Sequence, residues 1–204
     1  MEKQIRSLRT KLTSHAVWAP LGFGIGGAVG GLWFSLDNPA FPIVFGIMGA
    51  VGGASLGQAL RSWKKVGLLA LAGLLGFAIG WWPLAWTLMG LTYQLPLAIT
   101  PLSLTFGTLG LLINGGIQGV IGATPLWFVL RHKPGAGRLI AAGAVGFALA
   151  AQASWGWAMG LHGSVTVAIW GIVGGAFLGA VLGYQQSAQS SSDTLAMQKK
   201  TSAA

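Results

Sequence analysis

The sequence contains no cysteine, and only three of its 204 residues are acidic. The absence of thiols excludes a disulfide framework and a thiolate metal site. Charged residues make up 7% of the chain, whereas an average soluble domain has about 25%. So few charges cannot coat a soluble globule, and a hydrophobic content of 53% is too high for a disordered chain. The composition therefore predicts a protein whose main solvent is lipid.

The three acidic residues, Glu2, Asp37 and Asp193, all lie outside the long apolar runs of the chain. No pair of carboxylates, nucleophile with its base, or set of metal ligands can therefore form within those runs. Carriers coupled to protons or ions usually keep ionisable groups inside the membrane. We therefore expect a protein that is not an enzyme, requires no cofactor or metal, and does not carry out coupled transport.

The charged residues fall in short clusters, and the uncharged stretches between them are long enough to cross about 30 Å of hydrocarbon as helices. In lipid these stretches are expected to be helices, since the strands of a β-barrel alternate polar and apolar residues in much shorter segments. The predicted fold is all-α, a polytopic bundle of six transmembrane helices over 16–184. The predicted spans are 16–36, 40–60, 66–88, 104–130, 139–161 and 164–184.

The basic clusters predict the orientation of these spans. Lys and Arg occur near both termini and in the 61–65 and 131–138 connections, whereas 37–39, 89–103 and 162–163 contain none. Since Lys and Arg are retained on the cytoplasmic side, both termini are predicted to be cytoplasmic, in a prokaryotic inner membrane. The net charge of +9 then reflects this retention and contact with anionic lipid, and we expect no nucleic-acid partner.

Three segments flank or interrupt the predicted spans. Residues 1–15 are basic and amphipathic, which suits a helix on the cytoplasmic surface or a frayed terminus. Residues 185–204 are predicted to form a disordered cytoplasmic tail. Residues 90–103 are apolar and include two prolines, Pro96 and Pro101, so we expect an irregular segment that lies on the membrane or re-enters it.

Glycine is unusually abundant, with 34 residues, and most of them lie inside the predicted spans. Small residues four apart allow two helices to approach closely in lipid, the small-xxx-small or glycine-zipper pattern. Every predicted span has such a pattern. The glycines predicted to pack helices are Gly22, Gly26, Gly30, Gly49, Gly53, Gly57, Gly76, Gly80, Gly115, Gly119, Gly146, Gly171, Gly175, Gly179 and Gly183.

Similar segments suggest an internal repeat of three helical hairpins. The odd spans contain GAVGGLW (27–33), GLLGFAIGWW (73–82) and GAVGFALA (143–150). The even spans contain GIMGAVGGASLG (46–57), GGIQGVIGA (115–123) and GIVGGAFLGAVLG (171–183). Low complexity can produce the same likeness, so these segments predict either a common hairpin design or a shared composition.

Four polar residues form the strongest candidate site: Asn114, Gln118, Gln152 and Ser154. They lie near the centres of the fourth and fifth predicted spans, where an amide must face other helices and find a partner. One hypothesis is hydrogen bonding between helices, which contributes about 0.6 to 2 kcal/mol for each contact. The other is a binding site for a small neutral polar ligand.

These features favour a non-catalytic subunit or assembly component of a membrane complex, in contact with lipid and with another membrane protein or copies of itself. An alternative is a channel, permease or substrate-binding membrane subunit for a small neutral solute. The size and the six-span arrangement are similar to those of the small binding subunits of vitamin importers. A pigment- or lipid-binding accessory protein with a histidine ligand is a third possibility, although His15, His132 and His162 lie far apart in the sequence.

Overall fold

The computed structural model describes residues 2–32, 41–81, 100–132, 136–158 and 163–202, and its regular structure consists of six helices. They are α1 (Glu2–Gly31), α2 (Phe41–Ala59), α3 (Trp63–Trp81), α4 (Thr100–Leu130), α5 (Arg138–Ala158) and α6 (Gly163–Ser202). The protein is therefore all-helical, as the sequence predicts.

Four of the described helices are long and apolar enough to cross a membrane, which indicates a membrane protein. Their apolar stretches are Pro42–Ala59, Trp63–Gly80, Leu111–Leu130 and Gly163–Tyr184. The other two helices have shorter apolar stretches within the described residues, Val17–Gly31 and Arg138–Ala153.

Each helix packs against its neighbours in the chain, and α6 also packs against α1. The six helices therefore form a closed ring in which odd- and even-numbered helices alternate. The outer surface carries large apolar side chains such as Ile25, Ile43 and Ile79, and the inner surface forms one continuous apolar core.

A tight turn connects α2 to α3. Arg61 adopts a left-handed conformation, with a φ of 52°, and its N–H donates to the carbonyl of Gln58. The next N–H, of Ser62, donates to the carbonyl of Gly57. This pair of bonds is the Schellman pattern that ends many helices, although glycine is the usual residue at the left-handed position. The turn places α3 directly beside α2.

Several helix limits differ from the sequence prediction. α4 begins at Thr100, within the segment expected to be irregular, because Pro101 occupies the first turn, where a helix does not need its N–H. The rest of the 90–103 segment lies outside the described residues.

Both terminal helices extend beyond the predicted spans. α1 is continuous from Glu2 to Gly31, so the basic 1–15 segment and the first span share one helix. α6 continues to Ser202, through residues for which we expected disorder. Gln, Ala and Lys are good helix formers and recur in this segment, and a helix already started in the apolar part avoids the cost of nucleation.

Candidate functional site

Three phenylalanines from α1, α3 and α5 meet at the centre of the helix ring. The ring centroids of Phe23 and Phe77 are 5.6 Å apart, those of Phe23 and Phe147 are 6.3 Å apart, and those of Phe77 and Phe147 are 4.9 Å apart. The first two pairs pack edge to face, the arrangement that aromatic quadrupoles favour. All three side chains are buried. We call them the phenylalanine triad.

A glycine on the following helix makes room for each member of the triad. A Cβ atom at Gly52 would collide with the Phe23 ring, one at Gly122 with the Phe77 ring, and one at Gly174 with the Phe147 ring. Four residues after each glycine is a fully buried leucine. These leucines are Leu56, Leu126 and Leu178. Residues four apart share a helix face, so the leucines form a second layer beside the triad.

The positions four residues before these glycines form the layer on the other side of the triad. They are Met48, Gln118 and Trp170, and all three are buried. α2 and α4 therefore present corresponding positions to the centre, but α4 places an amide where α2 has a thioether. One turn further toward the helix starts, α4 has Asn114 where α2 has Val44, and both are buried.

Asn114 and Gln118 form a buried polar pair within α4, whereas the sequence hypotheses are a hydrogen bond between helices or a ligand site. Gln118 Nε2 donates a hydrogen bond of 2.7 Å to Asn114 Oδ1, and the two residues are 2% and 6% exposed respectively. Gln118 Oε1 is buried and has no hydrogen-bond partner among the described residues. An unsatisfied acceptor of this kind costs about 1 to 3 kcal/mol.

The other two predicted polar residues lie on α5, which packs against α4. Gln152 is half-buried, and the side chain of Ser154 lies outside the described residues. A Cβ at Gly115 would meet the side chain of Ala151. Asn114 is the residue before Gly115 and Gln152 the residue after Ala151, so these two residues lie at a similar height on α4 and α5. The structure therefore joins two of the four predicted residues directly and places a third at the same height.

The predicted helix-packing glycines lie at contacts between helices wherever their surroundings are described. Added Cβ atoms at Gly53 and Gly57 would collide with backbone of α3, one at Gly119 with backbone of α5, and one at Gly171 with backbone of α1. Gly73 and Gly143, which the sequence prediction did not select, face Gly49 and Gly119 across two of these contacts.

No described group of three or more His, Cys, Asp or Glu side chains could hold a metal ion. Of the three histidines considered in the sequence, His132 has a described side chain, which is exposed and accepts a 3.4 Å hydrogen bond from Arg131 Nε. His162 and the side chain of His15 lie outside the described residues.

Comparison with protein-family models, curated proteins and solved structures finds no match for the chain.

The phenylalanine triad was missed in the sequence, although a signal for it exists. The chain has three Gly-Phe dipeptides, at 22–23, 76–77 and 146–147, and each supplies one triad member. Our grouping of odd segments compares 27–33 with 73–82 and 143–150, which leaves Phe23 outside the first segment. The correct alignment of α1, α3 and α5 superimposes their Gly-Phe dipeptides, because the three phenylalanine side chains contact one another.

Removing the amide of Asn114 should destabilise the protein, because Gln118 Nε2 would then lose its acceptor. We expect Asn114→Val to lower the free energy of unfolding by about 1 to 3 kcal/mol. The double variant Asn114→Val with Gln118→Met carries the pair that α2 has as Val44 and Met48, and it should recover most of this loss. Thermal unfolding in detergent micelles measures both effects.

Thr124→Val is the matched control for this double-mutant cycle. Thr124 lies on the exposed side of α4, and its Oγ1 donates a 2.7 Å hydrogen bond to the carbonyl of Val120. Its replacement should change stability by less than about 0.5 kcal/mol. Additive effects of the Asn114 and Gln118 substitutions would contradict the described pair.

Proposed function

We propose that this protein is an integral membrane protein with six spans, which serves as a non-catalytic structural or assembly component of a membrane complex. The four helices that can cross a membrane support the membrane location. α1 and α5 pack side by side with these four helices in the ring. Helices packed side by side lie at the same depth, which supports a membrane crossing by α1 and α5 as well.

Glycine-zipper packing of three repeated hairpins is the architecture that we propose for this bundle. Its support is the recurrence of one set of contacts. In the hairpins α1–α2, α3–α4 and α5–α6, a phenylalanine of the first helix lies on a glycine of the second, with a buried leucine one turn beyond it. Low complexity alone would not place equivalent residues in equivalent contacts.

The phenylalanine triad is the observation that carries the structural role. Three rings in mutual contact occupy the centre, and the leucine layer beside them is fully buried. A permanently open channel for a polar solute requires polar groups or water along its axis. A filled apolar centre therefore favours a component that holds other subunits over one that conducts.

The proposed partner would meet the outer apolar surface. Glycine ridges beyond those that one bundle needs would face a partner, but the packing glycines with described surroundings face helices of the same chain. The outer surface instead presents Ile, Leu and Val side chains and the highly exposed Trp63. Such a surface suits lipid, a second copy of this chain or another membrane protein.

Purification from membranes in a mild detergent, followed by native mass spectrometry, tests the proposed role. We expect the chain to be recovered with a second membrane protein or as an oligomer. Recovery as a monomer under the gentlest conditions would contradict it. We also expect proteoliposomes to show the same permeability to glycerol and urea as empty liposomes, and faster flux would favour a permease.

The second candidate function, binding or passage of a small neutral solute, is favoured by one observation. Asn114 and Gln118 are amides at core positions where α2 has apolar residues. If flux is found, Asn114→Leu and Gln118→Leu should reduce it, and unchanged flux in both variants would remove this candidate.

A further inference from the structure

We propose that Gln118 Oε1 is the anchor of a buried binding site for a small, uncharged molecule that donates a hydrogen bond through O–H or N–H. This inference deepens the second candidate function, binding of a small neutral solute, and does not depend on the proposed structural role or on a membrane partner. Its starting point is the unsatisfied oxygen of a side chain that is 2% exposed.

The three-fold recurrence of contacts provides an internal comparison for this position. Gln118 lies one turn before Gly122, as Met48 lies before Gly52 and Trp170 before Gly174. All three glycines contact a member of the phenylalanine triad. Packing at this level therefore does not require a primary amide, since α2 fills the same position with the side chain of Met48.

The hydrogen bond within the pair fixes which atom remains for a ligand. Gln118 Nε2 is directed toward Asn114 Oδ1, which holds the amide plane and leaves Oε1 as the free acceptor. An amide oxygen has two lone pairs and no proton to give. The molecule that satisfies it must therefore be a hydrogen-bond donor.

The charge of the surroundings requires this donor to be neutral. The stretch of α4 from Thr100 to Leu130 contains no charged residue, and neither do Val17–Gly31 or Val66–Trp81. A cation bound beside one amide oxygen would therefore lack a counter-charge in an apolar core, where burial of an unpaired charge is very costly. Water, an alcohol, an amine in its neutral form or an amide has the required chemistry.

Isotope-edited infrared spectroscopy of the full chain in lipid nanodiscs tests the proposal. Cell-free synthesis with glutamine labelled with ¹³C at the side-chain carbonyl, and subtraction of the spectrum of Gln118→Met, isolates the Gln118 carbonyl band. We expect this band at the lower frequency of a hydrogen-bonded carbonyl. A band at the frequency of a free carbonyl in hydrocarbon that no donor solute shifts would overturn the proposal. Gln118→Leu replaces Gln118→Met in the subtraction if the methionine variant does not fold.

Titration with paired solutes identifies the source of the donor. Methanol is compared with acetonitrile, and phenol with fluorobenzene, since only the first of each pair donates. If the site takes solutes, methanol or phenol should bind wild-type protein about tenfold more tightly than Gln118→Met. Acetonitrile and fluorobenzene should bind the two proteins equally. A hydrogen-bonded carbonyl with no response to any solute assigns water as the donor. A free carbonyl with no response to any donor overturns the site altogether.

Discussion

Gly53→Leu is expected to prevent the chain from forming its native helix packing. The Cβ of any residue at position 53 would collide with the backbone carbonyl of Leu69 on α3, and a backbone cannot move aside as a flexible side chain can. Gly53→Ala, which adds one methyl group, should cost about 1 to 3 kcal/mol of unfolding free energy. The leucine variant should cost more, because α2 and α3 would have to separate.

Gly67→Leu is the matched control for this prediction. Gly67 lies on the same helix as Leu69, is exposed, and has no atom within 4 Å of an added Cβ. Its replacement should leave the unfolding temperature within a few degrees of the wild type, an expectation for surface changes of less than about 0.5 kcal/mol. Thermal unfolding of both variants in the same detergent is the measurement. Equal stability of Gly53→Leu and Gly67→Leu would contradict the described approach of α2 and α3.

Phe77→Ala is expected to have the second-largest effect, because it removes one of three side chains that touch one another. Truncation of a buried phenylalanine costs about 3 to 5 kcal/mol through lost contacts and the cavity that remains. The cavity would adjoin both Phe23 and Phe147, whose centroids lie 5.6 and 4.9 Å from that of Phe77. Xenon or benzene should bind in this cavity and raise the unfolding temperature of the variant.

The control for Phe77→Ala is Ile79→Ala on the same helix. Ile79 is 60% exposed on the outer surface, so its truncation leaves no internal cavity. We expect a loss of stability well below that of Phe77→Ala and no stabilisation by xenon. A similar loss in both variants would show that the triad is not a packing centre.

The sequence predicted the helices well, because the information for them is local. Gaps between charged clusters define where apolar helices can occur, and six described helices lie over the six predicted spans. The limits were less predictable. We expect Pro101 to interrupt a helix, but it lies in the first turn of α4, where a proline costs no hydrogen bond. We expected disorder over 185–204, but α6 continues to Ser202, because a helix already started in the apolar part needs no new nucleation.

The contents of the core could be predicted only in part. Asn114 and Gln118 are candidates because amides near the middle of an apolar helix must find partners. We expected a bond between helices or to a ligand, but the two side chains bond to each other within α4. The three Gly-Phe dipeptides mark the members of the phenylalanine triad, but their contact also depends on the relative heights of three helices that are more than 50 residues apart in the chain. The unsatisfied Gln118 Oε1 likewise depends on what α4 meets across the core.

Single-cysteine labelling in intact cells tests the central claim, that the ring of helices is a bundle of six spans in lipid. The chain has no native cysteine, so each introduced thiol reports one site. We predict that Ser62→Cys and Gly137→Cys react only after the cytoplasmic face is opened to a membrane-impermeant maleimide, whereas Asn38→Cys reacts from outside. Opposite accessibility of positions 62 and 137 would contradict the six-span account.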